Sequence, residues 1–288
     1  MARQDFGSCK ALLTGVRPMT SLCASPRAPA AAGTFYPRSA KALSQTVGDL
    51  LASLKLEQRR LSPCGVIAPH AGYAYSGSVA AHAFACVRQL HGRIKRAIII
   101  GPAHFVPFLG IGAPAHRAFN TPLGDVPVDV ATVEALNEEG LVAIDDEPHA
   151  PEHAIEVELP FLQSIFPNLP IVPLLCGSTT AEAVAAVIAR IWTDDTLLVV
   201  SSDLSHFESY HAARMHDERT AMAIEARDAG AIGPSDACGH LAIQGALAEA
   251  ERRGLDVTRL ALKNSGDTAG DRRRVVGYGA WAFHAGAN

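Results

Sequence analysis

Apolar residues along this chain follow two rhythms. Short unbroken runs occur at 65–68 (G-V-I-A), 96–101 (R-A-I-I-I-G), 109–113, 171–176 and 197–202 (L-L-V-V-S-S). Their length and β-branched content predict strands covered on both faces. Between them, apolar positions spaced three and four apart predict helices over 39–54, 77–90, 128–139, 152–165, 180–191, 209–229 and 237–253. Such alternation predicts an α/β fold in which a central, mostly parallel sheet lies between two helical layers. The end of the chain differs. Segments 259–263 and 275–283, joined through Ser265-Gly266-Asp267, predict an antiparallel pair. Residues 1–30 are rich in Ala, Ser, Pro and Arg without a period, which predicts a flexible N-terminal tail. No repeat, linker or break in composition follows, so 31–288 reads as a single domain.

Composition narrows the field. An apolar fraction of 48% over 288 residues supports a substantial core. The net charge of −4 comes with no basic stripe beyond Arg272-Arg273-Arg274, so neither nucleic acid nor an anionic membrane surface is an expected partner. No apolar run approaches the ~20 residues of a membrane span. The cysteines are Cys9, Cys23, Cys64, Cys86, Cys176 and Cys238, scattered and without a C-x-x-C pair. That spacing excludes a disulfide framework or zinc knuckle and predicts the reducing cytoplasm. The 12 histidines, against 5 tyrosines and 2 tryptophans, raise the question of a metal.

Position answers part of that question. Three predicted strands run directly into histidines: P-H-A-G-Y carries His70 and Tyr73, G-P-A-H carries His104, and D-L-S-H carries Asp203 and His206. The C-terminal edge of an open α/β sheet is where ligands bind, because the loops there converge. If these strands are parallel neighbours, their loops gather three imidazoles. A lone histidine after a strand is ordinarily a capping or surface residue, but three at equivalent positions point to a site. Cys238 joins them if it opens the 237–253 helix, whose positive end would favour the thiolate. The other reading of Cys238 is a small buried filler. A further run, His149 to Glu158 (H-A-P-E-H-A-I-E-V-E), places His153 and Glu156 three apart on one helical face. It reads equally as acidic residues at a helix start or as groups that contact a substrate or support a ligand. Neither H-E-x-x-H nor G-x-S-x-G is present, so the zincin signal is absent and a Ser/His/Asp arrangement built on Ser201, Ser202, Asp203 and Ser205 is disfavoured.

Together these stretches resemble the Memo family, also called AmmeMemoRadiSam system protein B in bacteria. The matching motifs are A-G-T-F-Y-P (32–37), P-H-A-G-Y-A-Y-S-G (69–77), G-P-A-H (101–104), T-P-L-G-D-V-P-V-D (121–129), E-H-A-I-E-V-E-L-P-F-L (152–162), S-S-D-L-S-H (201–206), A-C-G (237–239), S-G-D (265–267) and V-V-G-Y-G-A (275–280). They are long, ordered and spread over nearly everything past the tail.

The resemblance implies a fold like that of LigB-type extradiol dioxygenases, a three-layer αβα sandwich around a mixed sheet. It implies a metal held by His70, His104 and Cys238, with His206 and Asp203 as catalytic acid/base and orienting groups. Tyr73, His153 and Glu156 are expected to contact substrate or support the ligands. In the dioxygenases a carboxylate completes the iron triad; Cys238 in that place softens the site toward iron or copper. The expected cofactor is Fe(II), with copper and then zinc behind it. The expected occupant of the cleft is a small molecule or peptide, and the resemblance also implies a pathway shared with radical-SAM and Ammecr-type proteins. Two functional classes stand against each other: non-haem-iron redox or oxygenase chemistry, and a non-catalytic module that binds a peptide, a partner protein or the copper or iron ion itself. A metallohydrolase is a third, with a zinc-bound water and His206 or Glu156 as base.

Overall fold

The computed structural model describes residues 25–54 and 61–286. Residues 1–24 of the expected tail lie outside them. The tail does not extend to residue 30, however, because Arg27 is only 2% exposed and its backbone pairs with Phe119 and with the residues beside it.

The predicted runs form the centre of one mixed sheet. Strands β1 (Pro63–Ala68), β2 (Arg96–Pro102), β7 (Ile171–Cys176) and β8 (Thr196–Ser201) lie side by side in the order β1-β8-β2-β7, all parallel. Nearly every position in them is buried, as continuous apolar runs require. Beyond β7 come the short strands β3 (Ile111–Ala113) and β6 (Ala143–Ile144). Beyond β1 come β11 (Val275–Ala285) and then β10 (Leu255–Asn264), the expected antiparallel pair, longer at its first strand than the sequence suggested. The S-G-D segment is the turn between them. Asn264 accepts from Gly266 N–H while Asp267 accepts from Asn264 N–H, a reciprocal cap on a single 3₁₀ turn.

Helices cover both faces. On one, α1 (Ala40–Ala52), α2 (Tyr73–Val87) and α4 (Leu159–Ile165) pack together over β1. On the other, α5 (Ala181–Ile191) packs on α7 (His240–Arg252), which crosses β2 and β8, while α6 (Tyr210–Ala226) runs along β10 and β11. The last helix, α3 (Val130–Glu138), leans on β6 and β7. The starts of α1, α3 and α5 are capped by Ser39, Asp129 and Thr180, whose side chains accept an orphan N–H of the first turn.

Several elements differ from expectation. The 152–165 helix begins only at Leu159, after a 3₁₀ turn at Glu156–Glu158, and the 237–253 helix begins at His240. A hairpin of β4 (Ala118–Thr121) and β5 (Gly124–Pro127) occupies the T-P-L-G-D-V-P stretch, where no strand was expected. The remaining strand, β9 (His206–Glu208), pairs with the start of β11.

Candidate metal centre

Because β8 lies between β1 and β2 and all three point the same way, their three following loops emerge at one edge. His70 leaves β1, His104 leaves β2, and the Asp203–His206 loop leaves β8. The sequence placed these strands as neighbours only by supposition; the register makes them so.

His70 is 1% exposed. Its Nδ1 lies 2.8 Å from Ser201 Oγ, and its backbone N–H donates to Asp203 Oδ1 at 3.0 Å. His104 is held by Glu152, whose Oε1 accepts from Nδ1–H at 2.9 Å and whose Oε2 accepts from the His104 backbone N–H. His206 Nδ1–H donates to the Leu204 carbonyl at 2.7 Å. Carbonyl and carboxylate oxygens can only accept, so the Nε2 lone pairs of His104 and His206 are left free. Burial depresses the basicity of His70 far below the usual imidazole value and brings His153 to about 4, so both rings are neutral at physiological pH. Burial also lowers His206, helped by the nearby His104, although its side chain reaches solvent.

The third histidine of the tightest group is His153. One donor atom from each of His70, His104 and His153 lies within 4.8 Å of the others. The His104 and His153 rings stack at 4.7 Å, and His70 meets both edge-on. His153 was expected on a helical face beside Glu156. Instead it lies on non-helical chain ahead of the 3₁₀ turn, which frees it to turn toward the strand edge. Its Nδ1 is buried and faces Glu152 Oε1 at 3.2 Å without forming an aligned hydrogen bond.

Cys238 meets this group at His70, its Sγ 3.4 Å from Nε2. It does not open a helix. It precedes the N-cap Gly239 of α7; burial, and then the charge of Asp203, push the thiol up to about 12 against the pull of the Ser202 hydroxyl and the Gly239 backbone. What places it is Gly239. The Gly239 N–H donates to Ser202 Oγ at 2.9 Å, and a Cβ there would meet Ser202 Cβ at 2.7 Å and the Ser201 carbonyl at 2.8 Å.

Three expected roles change. Asp203 does not orient His206: its carboxylate accepts from the His70 backbone, and burial raises its pKa to about 7 against the pull of the His70 and Ala71 amides. Tyr73 belongs to the core, 5% exposed, with its hydroxyl donating to the Val157 carbonyl at 2.7 Å. Glu156 is fully buried on the far side of its turn, where it accepts from Arg27, Tyr36 and the Ala30 and Ala31 amides. The residue that fixes a strand-end histidine is Glu152, signalled in the sequence only by its place directly before His153.

The neutral rings of His70 and His153, the His104 ring beside them and an adjacent thiol fit a late first-row transition ion. Donors ~2.0 and ~2.3 Å from one tetrahedral ion stand roughly 3.5 Å apart, and the His70–Cys238 separation is 3.4 Å. Phe105 and Phe207, 57% and 61% exposed, flank the histidines. Phe207 adopts a φ of 61°, a costly conformation for an aromatic residue, and its ring lies 5.0 Å from the Arg274 guanidinium.

Proteins of known sequence are similar to this chain. A "MEMO1 family protein" of Methanosarcina acetivorans is 32% identical over 271 residues, covering 88% of this chain and 97% of that one. Counterparts in Thermotoga neapolitana and Aeropyrum pernix are 33% and 34% identical, each over 88% of this chain and over 97% and 98% of their own. Residues 27–282 match the Memo family, described as Memo-like protein, from the buried Arg27 to the last core strand. The chain therefore belongs to the Memo family.

Proposed function

We propose that this protein binds a redox-active transition metal at the C-terminal edge of its sheet and uses it in oxygenase-type chemistry on a small molecule. The observation that carries the reading is the convergence of His70, His104 and His153 within 4.8 Å, with Cys238 against His70. His70, His104 and Cys238 would hold the ion, and His153 is placed to be a fourth donor. Fe(II) is the proposed metal, with copper second, since a thiolate beside imidazoles suits either. Bound there, iron would supply one-electron and O2 chemistry that no side chain can provide. His206 supplies a proton acceptor: with Nδ1–H fixed on Leu204, Nε2 is free to take a proton from a substrate hydroxyl. Glu152 holds His104 in place, and Phe105 and Phe207 shape an apolar mouth.

A second reading rests on that mouth. Two large exposed aromatic rings beside the cluster suit a non-catalytic module that recognises a peptide, a partner protein or the metal ion itself. Anaerobic purification with metal analysis, followed by O2 uptake against catechols and thiols, tests both. Stoichiometric iron with substrate-dependent O2 uptake, abolished in His206→Ala while the metal stays, is the expected result. Stoichiometric copper without turnover favours the binding module, and a protein that takes up no transition metal overturns both metal readings.

A further inference from the structure

The run E-H-A-I-E-V-E places three buried glutamates within seven residues, and their surroundings differ in kind. Glu152 accepts from the His104 ring and from the His104, His153 and Ala154 amides. Glu156 accepts from Arg27, Tyr36 and the Ala30 and Ala31 amides. Both are surrounded by donors, as buried carboxylates must be. Glu158 is as deeply buried, but its Oε1 faces only Ser201 Oγ, at 2.9 Å, and its Oε2 has no partner. The charge felt most at Glu158 is that of Asp203, another acid.

Ser201 Oγ makes three contacts: His70 Nδ1 at 2.8 Å, the Ala154 carbonyl at 2.7 Å and Glu158 Oε1 at 2.9 Å. A hydroxyl has one proton to give and two lone pairs to offer. The Ala154 carbonyl can only accept and is the nearest of the three, at 2.7 Å against 2.9 Å for Glu158, so we assign the Ser201 proton to it. The two remaining neighbours must then donate into Ser201. An ionised Glu158 would instead set a bare anionic oxygen against a lone pair in a site without water-like donors.

We propose that Glu158 is a permanently protonated, buried carboxylic acid that acts through Ser201 as a positioning residue, fixing the proton of His70 on Nδ1 and leaving Nε2 bare toward Cys238. Glu158 O–H donates to Ser201, His70 Nδ1–H donates to Ser201, and Ser201 O–H donates to Ala154. Every proton in the chain then has one acceptor. The consequence for metal affinity rests on His70 being a ligand, as proposed above; the proton assignment itself does not.

The test separates the two. On the whole chain without added metal, infrared difference spectra between wild type and Glu158→Gln should show a protonated-carboxyl C=O stretch that the variant lacks. Nitrogen NMR of histidine-labelled protein, with His70 assigned through His70→Gln, should show the Nδ1–H form. Glu158→Gln, whose amide can still donate to Ser201, should keep that form and bind Zn(II) within a few-fold of wild type. Glu158→Leu and Ser201→Ala should mix the tautomers and weaken Zn(II) binding by ~10–100-fold. Absence of the acid band, or His70 carrying its proton on Nε2, overturns the proposal. If band and tautomer are as expected but wild type takes up no Zn(II), the proton assignment stands and the metal reading falls.

Discussion

Glu152 grips His104 at two points, the ring through Oε1 at 2.9 Å and the backbone N–H through Oε2, so one carboxylate fixes both where the residue sits and how its imidazole is turned. Burial alone would raise the pKa of Glu152, but the hydrogen bonds from His104 outweigh it and hold the group below the usual range. Carboxylates behind ligating histidines typically account for 10–100-fold in metal affinity. Glu152→Ala is therefore expected to weaken Zn(II) or Fe(II) binding by about that factor, measured by calorimetric titration. Glu152→Gln should fall between it and wild type, because the amide can still accept one of the two bonds.

Arg27 and Glu156 form a buried ion pair, 2% and 0% exposed, and Arg27 also donates to the His149 and Glu152 carbonyls. Removing one member of such a pair strands the other and costs about 3–5 kcal/mol. Arg27→Met should lower unfolding free energy in urea by that amount, and the double variant Arg27→Met/Glu156→Gln should recover part of it. A single variant as stable as wild type would show that the pair does not hold the segment down.

Gly239→Ala should disturb the Cys238 segment, since the added methyl meets Ser202 and the Ser201 carbonyl, backbone that cannot yield easily. Overpacking of this kind costs about 1–3 kcal/mol. A lowered melting temperature with weakened Zn(II) binding is expected. Gly230→Ala, where the nearest foreign atom is a side-chain oxygen at 3.6 Å, is the control and should change neither.

His216 bridges Glu208 and Asp236, with Nδ1 and Nε2 donating at 2.7 and 2.6 Å, so the ring carries both protons and a positive charge. Burial opposes that charge, but the hydrogen bonds to Asp236 and Glu208 prevail and raise the pKa above the ordinary value. A histidine raised on folding stabilises the native state fully below its unfolded pKa near ~6.5 and loses that contribution as pH rises through the folded value. The melting temperature of wild type should thus fall relative to His216→Gln as pH is raised from about 6.5 upward. The adjacent Asp217, raised to about 6 by burial, titrates below this window. Parallel melting curves for the two proteins across the window would count against the bridge.

Much of this was legible in the chain. Strands β1, β2, β7 and β8 are continuous apolar runs whose strand length and β-branched content suit interior strands, so the edge that carries His70, His104 and His206 followed from them. The strand order did not follow, because crossover pairing leaves no periodic mark; β8 lies between β1 and β2 through partners 100 and 133 residues apart. The E-H-A-I-E-V-E run misled for a local reason. Its i, i+3 and i, i+4 spacings suit a helix, but the Glu152 carboxylate takes the amides of His153 and Ala154, a local hydrogen-bonding alternative to a helical turn. Cys238 misled because propensity put the helix start at Ala237, whereas the Gly239–Ser202 contact sets it at His240.

The three strand-end imidazoles are backed by three different acceptors: a hydroxyl at His70, a carboxylate at His104 and a peptide carbonyl at His206. A negative acceptor pushes electron density through the ring to the opposite nitrogen, a carbonyl does so less, and an alcohol already spending its proton elsewhere does so least. Identical side chains therefore form a graded series of Lewis bases, with His104 the most donating. A cation bound among these rings would therefore meet an asymmetric field and be drawn toward the β2 side, where His104 would be its strongest donor.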